Sequence, residues 1–197
     1  MRYDAEHKQK THDKVVRVAA RAIRAEGPDR VGVAGVMAQA GLTHGGFYAH
    51  FSSKDELVTA AIGEMLAQGR ARQRHEMDGR GPAEGLAAYI DFYLSPAHRD
   101  DRSKGCPMAA LASDLPRLSE DTRRLFADGT RHLADTLAGK LRALGHDDAA
   151  AEAHSAVAEL IGALSLARIE PDATRSDAIL AGSRRLLKRR LGLEAAT

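Results

Sequence analysis

One cysteine, Cys106, stands in 197 residues, so no disulfide can form within the chain. That suits a reducing cytoplasm. No stretch approaches the roughly 18 consecutive apolar residues that cross a membrane. The opening Met-Arg-Tyr-Asp-Ala-Glu-His holds no apolar segment and does not read as a secretory signal. The expectation is a cytoplasmic protein with no membrane partner. Proline is sparse, at six, and runs of β-branched residues are missing, which argues against strands. Enzyme signatures are missing too. There is no phosphate-cradling Gly-rich loop, no Gly-x-Ser-x-Gly, and no pair of histidines four apart among carboxylates as on a zinc helix. Cys106 with His98 or His132 could imitate a nucleophile and its base, but no spacing supports the pairing. No catalytic residue, metal or cofactor is expected.

What the chain has is helix-forming sequence. Ala, Leu and Arg dominate, and 44% of the residues are hydrophobic, enough for a core. The length suits one domain or two small ones. Apolar periodicity and stop signals predict helices over 11–25, 33–40, 43–49, 54–77 and 82–94, a short one from Pro107, then 119–144, 148–169 and 174–191. Thr11 reads as the cap of the first, with residues 1–10 frayed and His7, Lys8 and Lys10 available as a basic arm. Arg17, Arg21 and Arg24 fall on that helix's solvated face. Ser53 with Glu56 reads as a capping box for 54–77. The polar run 95–105 reads as a mobile loop.

The net charge is only +2, but it is unevenly spread. Residues 1–75 carry 12 Lys/Arg against 8 Asp/Glu, and residues 76–197 carry 17 against 19. A basic N-terminal part suits a nucleic-acid contact. Within it, 33–49 has the pattern of a helix-turn-helix. Gly41 stops one short helix, Leu42 packs the turn, and Thr43 caps the next. The second helix begins with polar or very small residues, His44, Gly45 and Gly46, which let the backbone approach a bulky partner. A recognition helix reads bases from such an N-terminus in the major groove. His44 is the first long polar side chain there and the candidate for a base edge. Thr43, Tyr48 and His50 suit phosphate, as does Lys54 at the start of the following helix.

The run Ala38-x-Ala-Gly-Leu-Thr-x-Gly-x-Phe-Tyr-x-His-Phe-x-Ser-Lys-Asp-Glu-Leu57 resembles the N-terminal domain of TetR-type transcriptional regulators. The resemblance covers roughly residues 11–65, with Gly41, Thr43, Gly45, Tyr48, His50, Phe51, Lys54 and Leu57 at the family's spacing. One departure is Val31-Gly32-Val33, where such regulators place a capping Ser or Thr that also binds phosphate. Gly is a tolerable cap, so the helix survives, and the phosphate contact is lost or passes to Arg30.

The resemblance implies an all-α fold in two parts. Residues 1–53 would be a three-helix helix-turn-helix DNA-binding domain, and 54–197 a helical ligand-binding and dimerisation domain reached through the helix 54–77. It implies a homodimer on double-stranded DNA with a palindromic operator, acting as a repressor released by a small-molecule effector. On the same precedent Tyr89, Phe92, Tyr93, Cys106, Met108 and Phe126 are candidates for a ligand pocket. The last two long helices would form the dimer bundle through Val157, Leu160, Ile161, Leu164, Ile179, Leu186 and Leu187. Gly-Cys-Pro at 105–107 is similar to one subset of the family. With Cys106 as cap and Pro107 first in a helix, the position favours a thiolate. A redox- or electrophile-sensing regulator acting through Cys106 is therefore an alternative. A helical binding protein that keeps the helix-turn-helix only as scaffold is another.

Overall fold

The computed structural model describes residues 2–194. Among them there is no strand. The elements are α1 (Arg2–Glu26), α2 (Val33–Gln39), a 3-10 helix (His44–Ala49), α3 (Lys54–Met77), α4 (Pro82–Tyr93) and α5 (Pro96–Asp100). They continue as α6 (Pro107–Leu111), a 3-10 turn (Leu115–Arg117), α7 (Glu120–Ala143), α8 (Ala149–Ile169) and α9 (Ala173–Arg190). No helix among the described residues is long and apolar enough to cross a membrane.

The first three elements pack on the start of α3. Val15, Ala19 and Ile23 of α1 recur every fourth residue, and so share a face. They are buried with Val36 and Met37 of α2, Phe47 and Phe51, and Leu57 and Val58 of α3. Gly41 ends α2 at φ +72°, a left-handed conformation that favours glycine. Leu42 N–H then donates back to Met37 O at 2.9 Å, so the chain leaves the helix at a fixed angle. The rest of α3 runs into the second half and packs on α4 and α7. There α7 and α8 form a hairpin, and α9 lies on α8. Gly145, at φ +87°, turns that hairpin, with His146 N–H donating to Leu141 O at 3.1 Å.

Four expectations are corrected. The first helix starts at Arg2, not Thr11. Thr11 donates its hydroxyl to His7 O at 2.9 Å inside the helix instead of capping it. The extra turns carry an i,i+4 ion pair, Glu6–Lys10 at 2.8 Å, and a Gln9–Asp13 bond at 2.8 Å; such pairs favour the helix. His7, Lys8 and Lys10 therefore project from a helix and form no loose arm; residue 1 lies outside the described residues. At α3, Ser53 Oγ accepts from Glu56 N–H at 3.1 Å as expected of a cap, but Glu56 reaches back to Ser52 N–H and Ser52 Oγ, both at 2.6 Å. The run 95–105 is built structure. Ser95 caps α5, and His98 is buried with Nδ1 bonded to Tyr93 O at 2.7 Å. Finally, Arg24 is not on a solvated face but is 3% exposed.

Candidate nucleic-acid interface and an internal cavity

Phe47 and Phe51 fix the outer surface of the helix-turn-helix. Their rings stack with centroids 5.5 Å apart and are buried against α1 and α2. This leaves Thr43, His44 and Gly45 exposed together, with Gly46 half-buried behind them. Tyr48 is 71% exposed, its ring held edge-on by Phe47 at 5.2 Å. A large aromatic held that far into solvent has no packing reason to be there. A Cβ at Gly45 would meet nothing within 4 Å. The segment is a 3-10 helix, because two consecutive glycines are poor α-helix formers. Thr43 stands at its N-cap position but makes no side-chain cap bond.

The remaining candidates are less free. Lys54 is half-buried, and its Nζ donates to Asp29 O at 3.4 Å. His50 leans on Phe51, and its Nδ1 is buried without a partner. Burial, with Lys8 and His12 close by, lowers its pKa below the ordinary histidine value. Its ring is therefore neutral at neutral pH. The cap position of α2 is Gly32, which bonds through no side chain, and Arg30 is exposed.

A second site lies where α1, α3, α4 and α6 meet α7. It is a cavity of about 510 Å³. Tyr89, Phe92 and Tyr93 of α4 form one wall, together with His98, Cys106 and Met108. The rings interlock: Phe92 stacks on His98 at 4.9 Å, and Tyr93 meets His98 edge-on at 4.9 Å. Arg24, Leu66, Gln73, Gly129 and Leu133 also line it. Phe126, expected here, is not in the lining; it is buried in the core on the same helix, α7. Periodicity marks Phe126 as inward-facing but not which inner surface it meets.

Sequence reasoning missed Arg24. It sits in the last turn of α1 and donates to Met65 O at 3.3 Å, Gln68 Oε1 at 2.8 Å and Ser103 O at 3.1 Å. No carboxylate pairs with it among the described residues, and burial pushes its pKa down to about 10. Gln73 was missed as well, and His98 was weighed only as a base for the Cys106 thiol, whereas it meets Cys106 through the backbone N–H. Three of the buried polar atoms without a hydrogen-bond partner, Arg24 Nε, Gln73 Nε2 and Tyr93 Oη, belong to residues of this lining. Each such atom costs about 1–3 kcal/mol when left unmade.

A third surface is the outer side of α8 and α9. Leu166 is 54% exposed, Ile169 75% and Leu186 51%. Ile161, Gly162, Ile179 and Gly182 are half-buried beside them. Four residues expected at a dimer interface are instead in the protomer's own core: Val157, Leu160, Leu164 and Leu187 are buried. Helix α8 is apolar almost all round, so its sequence alone does not separate its inward from its outward face.

Known proteins share both halves of this arrangement. Residues 15–61 match the family described as bacterial regulatory proteins, tetR family. Residues 82–179 match the transcriptional regulator LmrA/YxaF-like C-terminal domain. The chain belongs to the TetR family of transcriptional regulators. An uncharacterized HTH-type transcriptional regulator of Lactococcus lactis subsp. lactis is 25% identical over 171 residues, 82% of this chain and 85% of the relative. Among solved structures, a TetR transcriptional regulator from Chloroflexus aurantiacus J-10-FL superposes with a TM-score of 0.82 at 25% identity, covering 95% of this chain and 96% of that one. One from Agrobacterium tumefaciens gives 0.79 at 27% identity, covering 92% and 98%. As a member of this family the protein is a DNA-binding regulator, not an enzyme.

In this regulator His98 sets a pH limit on the cavity. Nδ1 bonds Tyr93 O, and Nε2 accepts from Cys106 N–H at 3.0 Å, so the ring is neutral. Burial lowers its pKa, outweighing the pull of the Tyr93 carbonyl, and Arg168 and Arg72 add to the lowering. The unfolded chain therefore takes up this proton first as pH falls. Stability from His98 is complete above its unfolded value of about 6.5 and is lost as pH falls toward the folded value. Thermal melts from pH 8 to 5 are expected to show that acidic loss. A His98→Leu variant should be less stable at pH 8 and lose less on acidification.

Proposed function

We propose that the protein is a homodimeric repressor that reads a palindromic operator and is released from it by a small molecule bound in the cavity. Residues 1–53 act as the reading head and 54–197 as the sensing and dimerising body, with α3 running between them. His44, Gly45 and Gly46 enter the major groove, with His44 on a base edge. Thr43, Tyr48, His50 and Lys54 take phosphates, Lys54 by leaving its weak bond to Asp29 O.

The observation that carries this reading is Arg24. It belongs to α1 of the head, yet its guanidinium is a strut in the cavity wall, tied to α3 and to Ser103. A ligand that binds there acts on the element that positions the 3-10 helix. A dimer places two heads in successive major grooves about 34–36 Å apart. A ligand that prefers a conformation with another separation weakens DNA binding by its own coupling energy.

Selection from a random DNA pool at about 0.15 M salt tests the reading. Enrichment of a palindrome is expected, with affinity falling steeply as salt rises. A folded dimer that enriches nothing would return weight to the scaffold alternative. The dimer has its own check. We expect Leu166→Asp with Leu186→Asp to give monomers in sedimentation equilibrium, with the fold retained. These monomers should bind operator at least about 100-fold more weakly, because the second head's avidity is gone.

A further inference from the structure

Resting on the effector reading of the cavity, we propose that its ligand class is a planar aromatic anion, an arene carboxylate. The charge of the lining sets the sign. Five cations line the cavity, Arg21, Arg24, Arg70, Arg72 and Lys104, against one carboxylate, Asp101. Two of the five have partners: Lys104 pairs with Asp101 at 3.5 Å and Arg72 with Glu76 at 3.3 Å. Arg21, Arg24 and Arg70 have no ion pair among the described residues. Arg24 is the deepest of these, 3% exposed; its hydrogen bonds all go to neutral oxygens, and the carboxylates of Glu64 and Asp101 act on it only through space. Behind Gly105 and His98 stands Arg168, half-buried, and its guanidinium too bonds only carbonyls, Arg99 O and His98 O, each at 3.2 Å.

The unmade bonds match the charge. Arg24 Nε, the Gln73 amide nitrogen and the Tyr93 hydroxyl come from α1, α3 and α4, and each can donate. All three residues are more than nine-tenths buried. A carboxylate accepts several hydrogen bonds at once and takes a guanidinium in a planar fork. The aromatic part of the lining supplies the shape. Tyr89, Phe92, Tyr93 and His98 make a continuous aromatic surface with ring centroids 4.9–6.5 Å apart. Such faces stack on a flat apolar body. Arg72, itself in the lining, lies over the ring of Phe92 with its guanidinium carbon 4.8 Å from the centroid.

The test is calorimetric titration of the full-length protein, free of DNA, with 2-naphthoate, 2-naphthamide and 2-naphthylmethylammonium. The three share a ring system and differ in charge. The carboxylate is expected to bind about 10-fold or more tighter than the amide, and the ammonium weakest. Gln73→Leu and Tyr93→Phe should each weaken naphthoate several-fold while leaving the ligand-free melting temperature unchanged or higher, since each removes an unsatisfied group. A merely structural role would lower the melting temperature and shift acid and amide alike. Equal or tighter binding of the amide, or no binding by any of the three, overturns the proposal. The titration contains no DNA, so its outcome is separate from that of the operator selection. Naphthoate bound without release of a selected operator would sustain the ligand class and overturn the release mechanism instead.

Discussion

Replacing Gly45 with leucine is expected to leave the protein folded and to abolish its use of an operator. Nothing within 4 Å would meet the new Cβ, and the backbone is not in the left-handed region. The melting temperature should stay within about 2 °C of the parent's, as for other surface changes. In the proposed complex the same side chain lies between the 3-10 helix and the groove floor, once in each head of the dimer. Each misfit at a base pair costs about 1–3 kcal/mol, and the symmetry doubles it. Affinity for a selected operator, read by fluorescence anisotropy, is expected to fall at least about 100-fold, with Gly45→Ala in between. Unchanged affinity would mean that the 3-10 helix does not enter the groove.

The largest loss of stability is expected from Gly85→Val. A Cβ at this position of α4 would sit 3.1 Å from Met77 O and 3.3 Å from Met77 Cα. Both are backbone atoms at the end of α3, and Met77 is itself buried. No rotamer change relieves the contact, so α4 must move away from α3. Overpacking of this kind costs about 1–3 kcal/mol or more. For a chain of this length that lowers the melting temperature by about 5–10 °C. Gly139→Ala in α7 is the control. Its Cβ meets nothing within 4 Å, and the change should raise stability by up to about 1 kcal/mol. Equal melting temperatures for the two variants would show that α3 and α4 are not in contact at Gly85.

The helices of this fold are legible because their apolar residues recur at helical spacing and their ends carry the expected punctuation. Ser119 caps α7, accepting from Thr122 N–H. Gly41 and Gly145 close helices as their positions suggest. The exposed row from Thr43 to Tyr48 is likewise visible, since Phe47 and Phe51 are its only large apolar anchors. What periodicity does not carry is the identity of distant partners. Arg24 is four residues beyond Ala20 and one beyond Ile23, both buried, so it stands at the edge of the inward face. Whether that edge meets water or Met65, Gln68 and Ser103 depends on residues 41 to 79 positions away. His98 was hidden for a related reason. It lies in a run of polar residues, and what orders the run is two backbone bonds to one imidazole. On α8 the difficulty is reversed: apolar residues on every side leave no pattern from which to choose the outer face.

The division of the cavity lining has a consequence for how such regulators diverge. Of the residues that line it, only Arg21 and Arg24 come from the first 53, and none comes from the segment between Thr43 and Tyr48. On the proposed reading of the cavity as the sensor, a duplicated copy of the gene can change what it senses, through α3, α4, α6 and α7, while it keeps its DNA site. It can equally drift to a new site without losing its chemical signal. Arg24 is the exception. It bonds Met65 O, Gln68 Oε1 and Ser103 O, so a substitution there is felt by both halves and the position should be slow to change where the rest of the lining is fast.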